Sequence, residues 1–174
     1  MNRNGLARKS LNMKYPLYIN GEFVETKDKH RVINPSNGEV IAEVSLADEQ
    51  LTKNAIKSAR NAYDHGPWKN VSLLQRKEII QKICEGILEK AAELAELETL
   101  NTGKPIKEST FMDIPSSAET FRYYAQNLVQ FLSSETKHIS NQITNCKATL
   151  TYEPHGVCVL IVPWNYSLLI ACWK

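Results

Sequence analysis

The segment Val162-Pro163-Trp164-Asn165-Tyr166 places a polar side chain directly after a continuous apolar run, Val157 to Val162. The run predicts a strand buried on both faces, and open α/β sheets bind ligands outside the carboxyl ends of such strands. The amide of Asn165 can donate a hydrogen bond to a carbonyl oxygen as negative charge develops on that oxygen. In the alternative interpretation, Pro163 and Trp164 only cap a core strand.

The other reactive side chains are scattered along the chain. The cysteines stand far apart with no C-x-x-C pair, so neither a zinc knuckle nor a disulfide framework is predicted, and reduced thiols in the cytoplasm are expected. The histidines are isolated in turn-like contexts and are interpreted as surface residues, so no metal site is predicted. These residues are Cys84, Cys146, Cys158 and Cys172, and His30, His65, His138 and His155.

Composition excludes two classes of function. The 174 residues include 21 Lys and Arg against 19 Asp and Glu, so no basic surface indicates a partner nucleic acid. The longest apolar stretches, Val157 to Trp164 and Tyr166 to Trp173, are separated by Asn165 and are shorter than the ~20 residues that cross a bilayer. No membrane span is expected. The basic amino terminus is interpreted as a flexible tail, or as sequence before a translation start at Met13.

Two β-hairpins open the predicted fold. Asn20-Gly21 lies between short β-forming runs in residues 18–24 and suits the positive φ angles of a two-residue turn. In residues 31–44, Pro35 and Asn37-Gly38 mark a second turn.

Three amphipathic helices are predicted to follow. The first begins at a capping signal, Ser45 with Asp48, and ends at His65-Gly66-Pro67. The second is a long helix from the Ser72 and Gln75 capping signal to near Gly103. The third lies beyond Pro115, where apolar residues step by three and four positions as far as Leu132.

The end of the chain changes character. Residues 134–146 are predicted to be a polar loop, residues 147–153 a half-exposed strand, and residues 157–162 the buried strand. A buried parallel strand needs neighbouring strands and covering helices, yet only twelve residues follow Val162. The predicted fold class is therefore α/β, with a sheet that is incomplete in this chain.

Five blocks, in order along roughly residues 16 to 174, resemble the NAD(P)-dependent aldehyde dehydrogenase superfamily. The blocks are Tyr18-Ile19-Asn20-Gly21-Glu22, Asn34-Pro35-Ser36-Asn37-Gly38-Glu39, Glu98-Thr99-Leu100-Asn101-Thr102-Gly103-Lys104-Pro105, Glu153-Pro154-His155-Gly156-Val157 and Pro163-Trp164-Asn165-Tyr166. Two further runs, Asp113-Ile114-Pro115 and Phe121-Arg122-Tyr123-Tyr124-Ala125, resemble the betaine-aldehyde and amino-aldehyde branch.

The resemblance implies the amino-terminal part of an aldehyde-dehydrogenase-like fold, with the remaining parts of a larger subunit downstream. Residues 1–15 would be a flexible basic tail, and residues 16–146 the hairpins and helices of the cofactor-binding domain. Residues 147–155 would be an oligomerisation-type strand, and residues 156–174 the first strand and loop of a truncated Rossmann-like sheet. Full-length members form homodimers or homotetramers.

In the mechanism that the resemblance implies, a cysteine thiolate attacks the aldehyde and an asparagine amide helps to hold the oxyanion. A hydride then passes to NAD or NADP, and a glutamate activates the water that hydrolyses the thioester. Asn165 matches the asparagine, and Tyr166 is expected to line the substrate tunnel. The stretch that lines the cofactor pocket is matched by Ile161, Val162, Pro163, Trp164 and Asn165.

Other family positions are absent or altered. None of the four cysteines has the context of the nucleophile, Cys158 is interpreted as a core strand residue, and the chain alone is expected to be inactive. Many relatives have an aspartate at the position of Asn101, where it binds a monovalent cation together with carbonyls matching Val32 and Ile33. We expect a helix C-terminal role for Asn101 beside Gly103 instead.

Two hypotheses follow. In the first, the chain is the amino-terminal part of an enzyme that oxidises an aldehyde to a carboxylic acid. In the second, it is a non-catalytic assembly or binding module that joins full-length relatives through the strand near Leu150. The second is disfavoured because the apolar runs 157–162 and 168–173 would leave an isolated chain prone to aggregation.

Overall fold

The amino terminus enters a small sheet at Met13. The structure is a computed structural model that describes residues 13–132, 136–139, 146 and 148–174. A tail is predicted for residues 1–15, of which residues 1–12 lie outside the described part of the chain. Met13–Tyr15 form strand β1, so the prediction is wrong for these three residues. They pair in parallel with β5, Val40–Ser45, which provides the backbone hydrogen bonds that a free tail would lack.

The first predicted hairpin is confirmed. Strands β2 (Leu17–Ile19) and β3 (Glu22–Val24) pair in antiparallel register. Asn20 and Gly21 join them with φ angles of 55° and 84°, the left-handed values that a two-residue hairpin turn requires.

The second predicted hairpin is also confirmed. Strand β4 (Lys29–Ile33) pairs with β5 in antiparallel register, and the sheet order is β1-β5-β4. At the turn, the buried Asn34 accepts a hydrogen bond from the Gly38 N–H and donates its own N–H to the Glu39 carbonyl.

Six helices are described, with a 3-10 turn at residues 67–70 and a π turn at residues 109–113. The first predicted helix is confirmed, and its N-cap is Asp48, which accepts a hydrogen bond from the Leu51 N–H, whereas Ser45 is buried in β5. The Ser72 and Gln75 capping box is confirmed at the start of the second. The helices are α1 (Glu49–His65), α2 (Leu73–Glu89), α3 (Ala91–Thr102), α4 (Ile106–Glu108), α5 (Ile114–Leu132) and α6 (Ser167–Trp173).

The prediction of one long second helix is wrong, because the chain breaks at Lys90 into α2 and α3. Lys90 has φ −98° and ψ 16°, outside helical geometry. The break lets each part face a different neighbour: α2 packs on α5, whereas α3 packs on the π turn. Within α2 itself only part of the predicted apolar stripe is buried: Ile87 is covered, while Ile79 and Ile83 stay exposed.

The core lies between α2, α3, α5 and α6. The third predicted helix is confirmed as α5, although it begins at Ile114, one residue before Pro115. The buried cluster consists of Cys84, Ile87, Ala95, Ile114 and Ala118, and it is joined by the half-buried Ala91, Leu94, Phe121, Leu168 and Cys172. Helix α6 thereby fastens the end of the chain to the helical body.

The polar loop predicted for residues 134–146 is wrong at residues 136–139, which form strand β6 (Thr136–Ile139). This strand pairs in antiparallel register with β7 (Ala148–Thr151), so the prediction of a strand near residue 150 is confirmed. Apart from Cys146, the remainder of the predicted loop lies outside the described residues. The two strands form a separate ribbon.

The strand predicted at residues 157–162 is not formed, and its side chains are not buried. Val159 and Ile161 are 75% and 80% exposed. A central strand needs a hydrogen-bonded neighbour on each side, and the part of the chain that the structure describes offers none. The interpretation of Cys158 as a core residue is wrong for the same reason, because Cys158 is exposed.

Candidate functional site

The site is built around the end of α3. Gly103 follows the helix with φ 78°, a left-handed conformation, and its N–H donates to the Thr99 carbonyl. A Cβ atom at this position would lie 2.7 Å from the Cγ atom of Pro35 in the β4–β5 turn. Glycine is therefore required by both backbone conformation and space. The turn at Gly103 directs the next residue, Lys104, into the protein.

Lys104 forms a buried cluster with two carboxylates. Its Nζ atom lies 2.5 Å from Asp113 Oδ2 and 3.2 Å from Glu98 Oε1. The side chains are only 11%, 5% and 7% exposed for Lys104, Asp113 and Glu98. Glu98 Oε1 is a close ionic contact of Nζ but lacks hydrogen-bond geometry, so it has no hydrogen-bond donor among the described residues. The cluster thus carries two negative charges against one positive charge.

The cluster keeps Lys104 charged. Burial disfavours the ammonium form, but the pairing with Asp113 and then with Glu98 outweighs burial and raises the pKa of Lys104 above its ordinary value. The π turn that carries Asp113 is braced at the start of α5, where the Ser117 hydroxyl donates to the Asp113 carbonyl at 2.7 Å.

The same ammonium reaches the predicted site. Lys104 Nζ donates to the Asn165 backbone carbonyl at 2.7 Å and lies 4.0 Å from the centre of the Tyr166 ring, within cation–π range. The Tyr166 hydroxyl donates to Glu108 Oε1 at 3.4 Å, and the Ser167 hydroxyl donates to the Trp164 carbonyl. The structure therefore joins the end of α3, the segment 106–113 and the loop 164–167.

The Asn165 side chain is exposed at this junction. Its backbone carbonyl is held by Lys104, whereas its amide group makes no hydrogen bond with any of the residues described. An exposed amide on a fixed backbone can donate to an oxyanion without first breaking another hydrogen bond. This is the chemistry that the sequence assigns to Asn165.

The predicted cofactor-lining residues form an exposed apolar strip. Ile161 and Trp164 are 80% and 78% exposed, and Val162 is 41% exposed. Apolar surface of this kind can contact the flat faces of planar rings, such as those of a dinucleotide. It does not supply charge for the phosphates, because the neighbouring ammonium of Lys104 is already held by two carboxylates.

Tyr166 is only half exposed, and its ring and hydroxyl both contact the protein. These contacts explain the orientation of the ring without a ligand. Its place in a substrate tunnel stays a prediction.

Two of the thiols are poor candidates for a nucleophile beside Asn165. Cys84 is buried in the core, and burial raises the pKa of the Cys172 thiol, which disfavours its thiolate. Cys158 is exposed but precedes the apolar strip, and its thiol faces the Gly156 carbonyl at 4.0 Å.

The sequence analysis missed the roles of Glu98, Lys104 and Asp113. All three lie in runs that carry the family resemblance, but the residue pattern predicts only that a helix ends near Gly103. The available signal is a lysine directly after a helix-ending glycine, with Glu98 six positions before it and Asp113 nine positions after it. It does not by itself reveal which backbone carbonyl the ammonium reaches, because Asn165 is 61 positions away.

Other features lie apart from this site. A cleft of about 530 Å³ opens between the start of α2 and the end of α5, and none of residues 161–166 lines it. Asn101 lies exposed in the last turn of α3. Within the described ranges, no three His, Cys, Asp or Glu residues are grouped to hold a metal ion, and every helix is too short or too polar to cross a membrane.

Comparisons with known proteins match nearly the whole chain. The family model described as "Aldehyde dehydrogenase family" matches residues 23–174. Betaine aldehyde dehydrogenase of Bacillus subtilis is 42% identical over 164 residues, which are 93% of this chain and 33% of that protein. Aminoaldehyde dehydrogenase 2 of Solanum lycopersicum is 37% identical over 160 residues, which are 91% of this chain and 32% of that protein.

Solved structures match at similar coverage. A point-mutant betaine aldehyde dehydrogenase of Staphylococcus aureus, in complex with NAD+, superimposes with a TM-score of 0.83 at 35% identity, over 93% of this chain and 32% of that chain. An indole-3-acetaldehyde dehydrogenase of P. syringae, in complex with NAD+ and IAA, gives a TM-score of 0.80 at 32% identity. The match covers 90% of this chain and 31% of that chain. The chain spans about a third of the length of the relatives that it matches.

Proposed function

Because this chain belongs to the aldehyde dehydrogenase family, we propose that it takes part in the NAD- or NADP-dependent oxidation of an aldehyde to a carboxylic acid. The observation that carries the proposal is the amide of Asn165, exposed and without a hydrogen-bond partner in the described structure, on a backbone held by Lys104. Negative charge develops on the aldehyde oxygen during thiol attack, and this amide is the donor that would stabilise it.

The exposed strip before Asn165 would contact the cofactor. Ile161, Val162 and Trp164 offer apolar surface to the rings, and Pro163 stiffens the backbone between them. When bound, NAD or NADP supplies the hydride acceptor of the reaction. Its phosphates need donors from outside this strip. Tyr166, next to Asn165, would lie at the edge of the substrate tunnel.

The chain is proposed to be inactive by itself. In the mechanism implied by the family resemblance, a cysteine and a glutamate form and hydrolyse the thioester. Burial of Cys84 and the raised pKa of Cys172 support the proposal that neither is the nucleophile. The length of the relatives, about three times that of this chain, supports the proposal that both groups are contributed by a longer protein.

The substrate class, assembly and location follow as further parts of the proposal. The names of the Bacillus subtilis and Solanum lycopersicum relatives support an aldehyde of the betaine-aldehyde or amino-aldehyde type. The β6–β7 ribbon, a separate two-stranded sheet with outer edges, supports pairing with a second copy in a homodimer or homotetramer. Thiols outside disulfides at Cys84, Cys158 and Cys172 fit the cytoplasm.

The test measures aldehyde-dependent reduction of NAD+ and NADP+. The 174-residue chain is assayed beside the complete product of its gene, with betaine aldehyde, an amino aldehyde and indole-3-acetaldehyde as substrates. Only the complete product is expected to turn over, and Asn165→Ala is expected to lower its kcat by about 10²–10³-fold. Asn61→Ala changes an exposed asparagine on α1 and is the matched control.

Two results would contradict the proposal. An unchanged kcat in Asn165→Ala would remove the oxyanion role, and turnover by the 174-residue chain alone would mean that one of its cysteines is the nucleophile. If neither protein reduces the cofactor with any aldehyde, the alternative of a non-catalytic assembly module is favoured.

A further inference from the structure

We infer that Lys104 is a positioning residue for Asn165: its ammonium fixes the backbone from which the oxyanion-binding amide projects. This inference rests on the proposed function. The observation that supports it directly is the hydrogen bond from Lys104 Nζ to the Asn165 carbonyl, which is 2.7 Å long and joins residues 61 positions apart.

The loop around Asn165 is fixed at three successive carbonyls. The Trp164 carbonyl accepts from the Ser167 hydroxyl, the Asn165 carbonyl accepts from Lys104, and the Tyr166 carbonyl accepts from the Ile170 N–H. The first and third of these bonds lie within the loop and α6. The bond from Lys104 acts on Asn165 itself, beside the Tyr166–Glu108 hydrogen bond and the packing of α6 that also hold the loop to the helical body.

The Tyr166 ring lies on the same ammonium, 4.0 Å from Nζ to the ring centre. Lys104 therefore contacts the main chain of Asn165 and the side chain that follows it. With both held, the Asn165 amide keeps mainly the freedom of its own side-chain torsions. A donor held in this way needs little reorganisation when charge develops on a substrate oxygen.

Lys104 can hold this loop because it is itself held. Asp113 and Glu98 are almost fully buried on two different elements, the π turn and α3, and both pair with Nζ. The left-handed turn at Gly103, pressed against Pro35, fixes where the lysine side chain starts. Both ends of the side chain are thus determined by rigid structure.

The Lys104 ammonium both offsets the negative charge of the cluster and holds the Asn165 backbone. The Lys104 ammonium is shared between the carboxylates of Asp113 and Glu98 and the Asn165 carbonyl. Methionine, a neutral side chain of similar length, would neither balance these carboxylates nor donate to the Asn165 carbonyl. Lys104→Met therefore removes both interactions of the ammonium at once.

The test is a double-mutant cycle between positions 104 and 165 in the complete gene product. We expect Lys104→Met to lower kcat about tenfold to hundredfold, as displacement of a reacting group by about 1 Å does, with the KM for the aldehyde changed less than kcat. In an Asn165→Ala background, Lys104→Met is expected to lower kcat by less than about twofold, because the positioned amide is already absent. Lys107→Met, an exposed lysine on α4, is the matched control.

A second readout does not depend on activity. Hydrogen exchange of the peptide covering residues 161–170 is expected to be faster in Lys104→Met than in the unmodified protein or in Lys107→Met. If Lys104→Met does not fold, E98Q/K104M/D113N replaces it in both measurements. This variant has no unpaired buried charge and still lacks the bond to Asn165.

The outcomes separate the two proposals. Equal losses of kcat from Lys104→Met in both backgrounds, or unchanged exchange in the 161–170 peptide, would overturn the positioning role while leaving the oxyanion role of Asn165 intact. An Asn165→Ala variant with normal kcat would overturn the oxyanion role and, with it, the inference about Lys104.

Discussion

The helical core and the segment 157–164 are both rich in apolar residues, but the side chains of the core are buried and those of the segment are mostly exposed. In the core, Ile114 and Ala118 of α5 are 1% and 2% exposed because they pack in a cluster to which α2, α3 and α6 also contribute. In the segment, Val159 and Ile161 stay largely exposed. Apolar side chains contribute to stability only where neighbours cover them, so mutations in the two regions should have very different costs.

The largest effect on stability is expected at the buried charge cluster of Lys104, Asp113 and Glu98. Lys104→Met leaves the carboxylates of Glu98 and Asp113 buried without a counter-charge, which should lower the free energy of unfolding by about 3–5 kcal/mol in urea denaturation. E98Q/K104M/D113N, which removes all three charges, should recover most of this loss. Equal destabilisation of both variants would mean that packing, and not charge balance, holds this part of the core.

The next prediction compares the cost of the same substitution, isoleucine to alanine, in the two regions. Ile114→Ala should lower the free energy of unfolding by about 2–5 kcal/mol, because it empties space inside the core. Ile161→Ala in the exposed segment should change it by less than about 0.5 kcal/mol. The same urea titrations measure both variants on the 174-residue chain. A large cost at Ile161 would show that the segment is covered in solution, for instance by self-association, which size-exclusion chromatography would detect.

A smaller effect is expected where the sheet meets the core. Gly103→Ala places a Cβ atom in a left-handed residue and against Pro35, and should cost about 2 kcal/mol. Gly38→Ala, also left-handed but with no atom within 4 Å of the added Cβ, should cost about 1 kcal/mol. Melting temperatures of the two variants measure the difference. Identical shifts would mean that the contact with Pro35 adds nothing to the backbone cost.

The smallest expected effect is the change in the free energy of unfolding with pH that arises from Lys104. Because the folded-state pKa of Lys104 is raised above its ordinary value of 10.5, the unfolded chain releases this proton first as the pH increases. The stabilisation is therefore complete below about pH 10.5 and declines as the pH rises through the folded-state pKa. Urea denaturation above about pH 10 should show a steeper decline for the unmodified protein than for E98Q/K104M/D113N. Parallel declines would contradict the raised pKa.

Local signals predicted the hairpins and helix starts well. Asn20-Gly21 adopts the positive φ angles that its residue types favour, and Ser72 with Gln75 forms the expected capping box. Each of these features is decided by residues only a few positions apart. A local pattern is sufficient in such cases because the competing conformations are also local.

Signals that depend on distant partners were less reliable. The apolar run 157–162 predicted a buried strand, but burial requires neighbouring strands that the described chain does not provide. The break at Lys90 depends on what α2 and α3 each pack against, and a continuous periodic stripe does not reveal it. At the candidate site, the type and position of Asn165 indicated its chemistry, while its support by Lys104 emerged only from the three-dimensional structure.

The bond between Lys104 and Asn165 also bears on the order in which parts of the protein fold. It joins two positions 61 residues apart and requires the turn at Gly103, the π turn and α6 to be in place, so it depends on contacts between distant parts of the chain. We expect it to form after the helical core during folding. The amide of Asn165 would then reach its working position only in molecules whose core is already native, which makes the chemistry of this loop a late product of assembly.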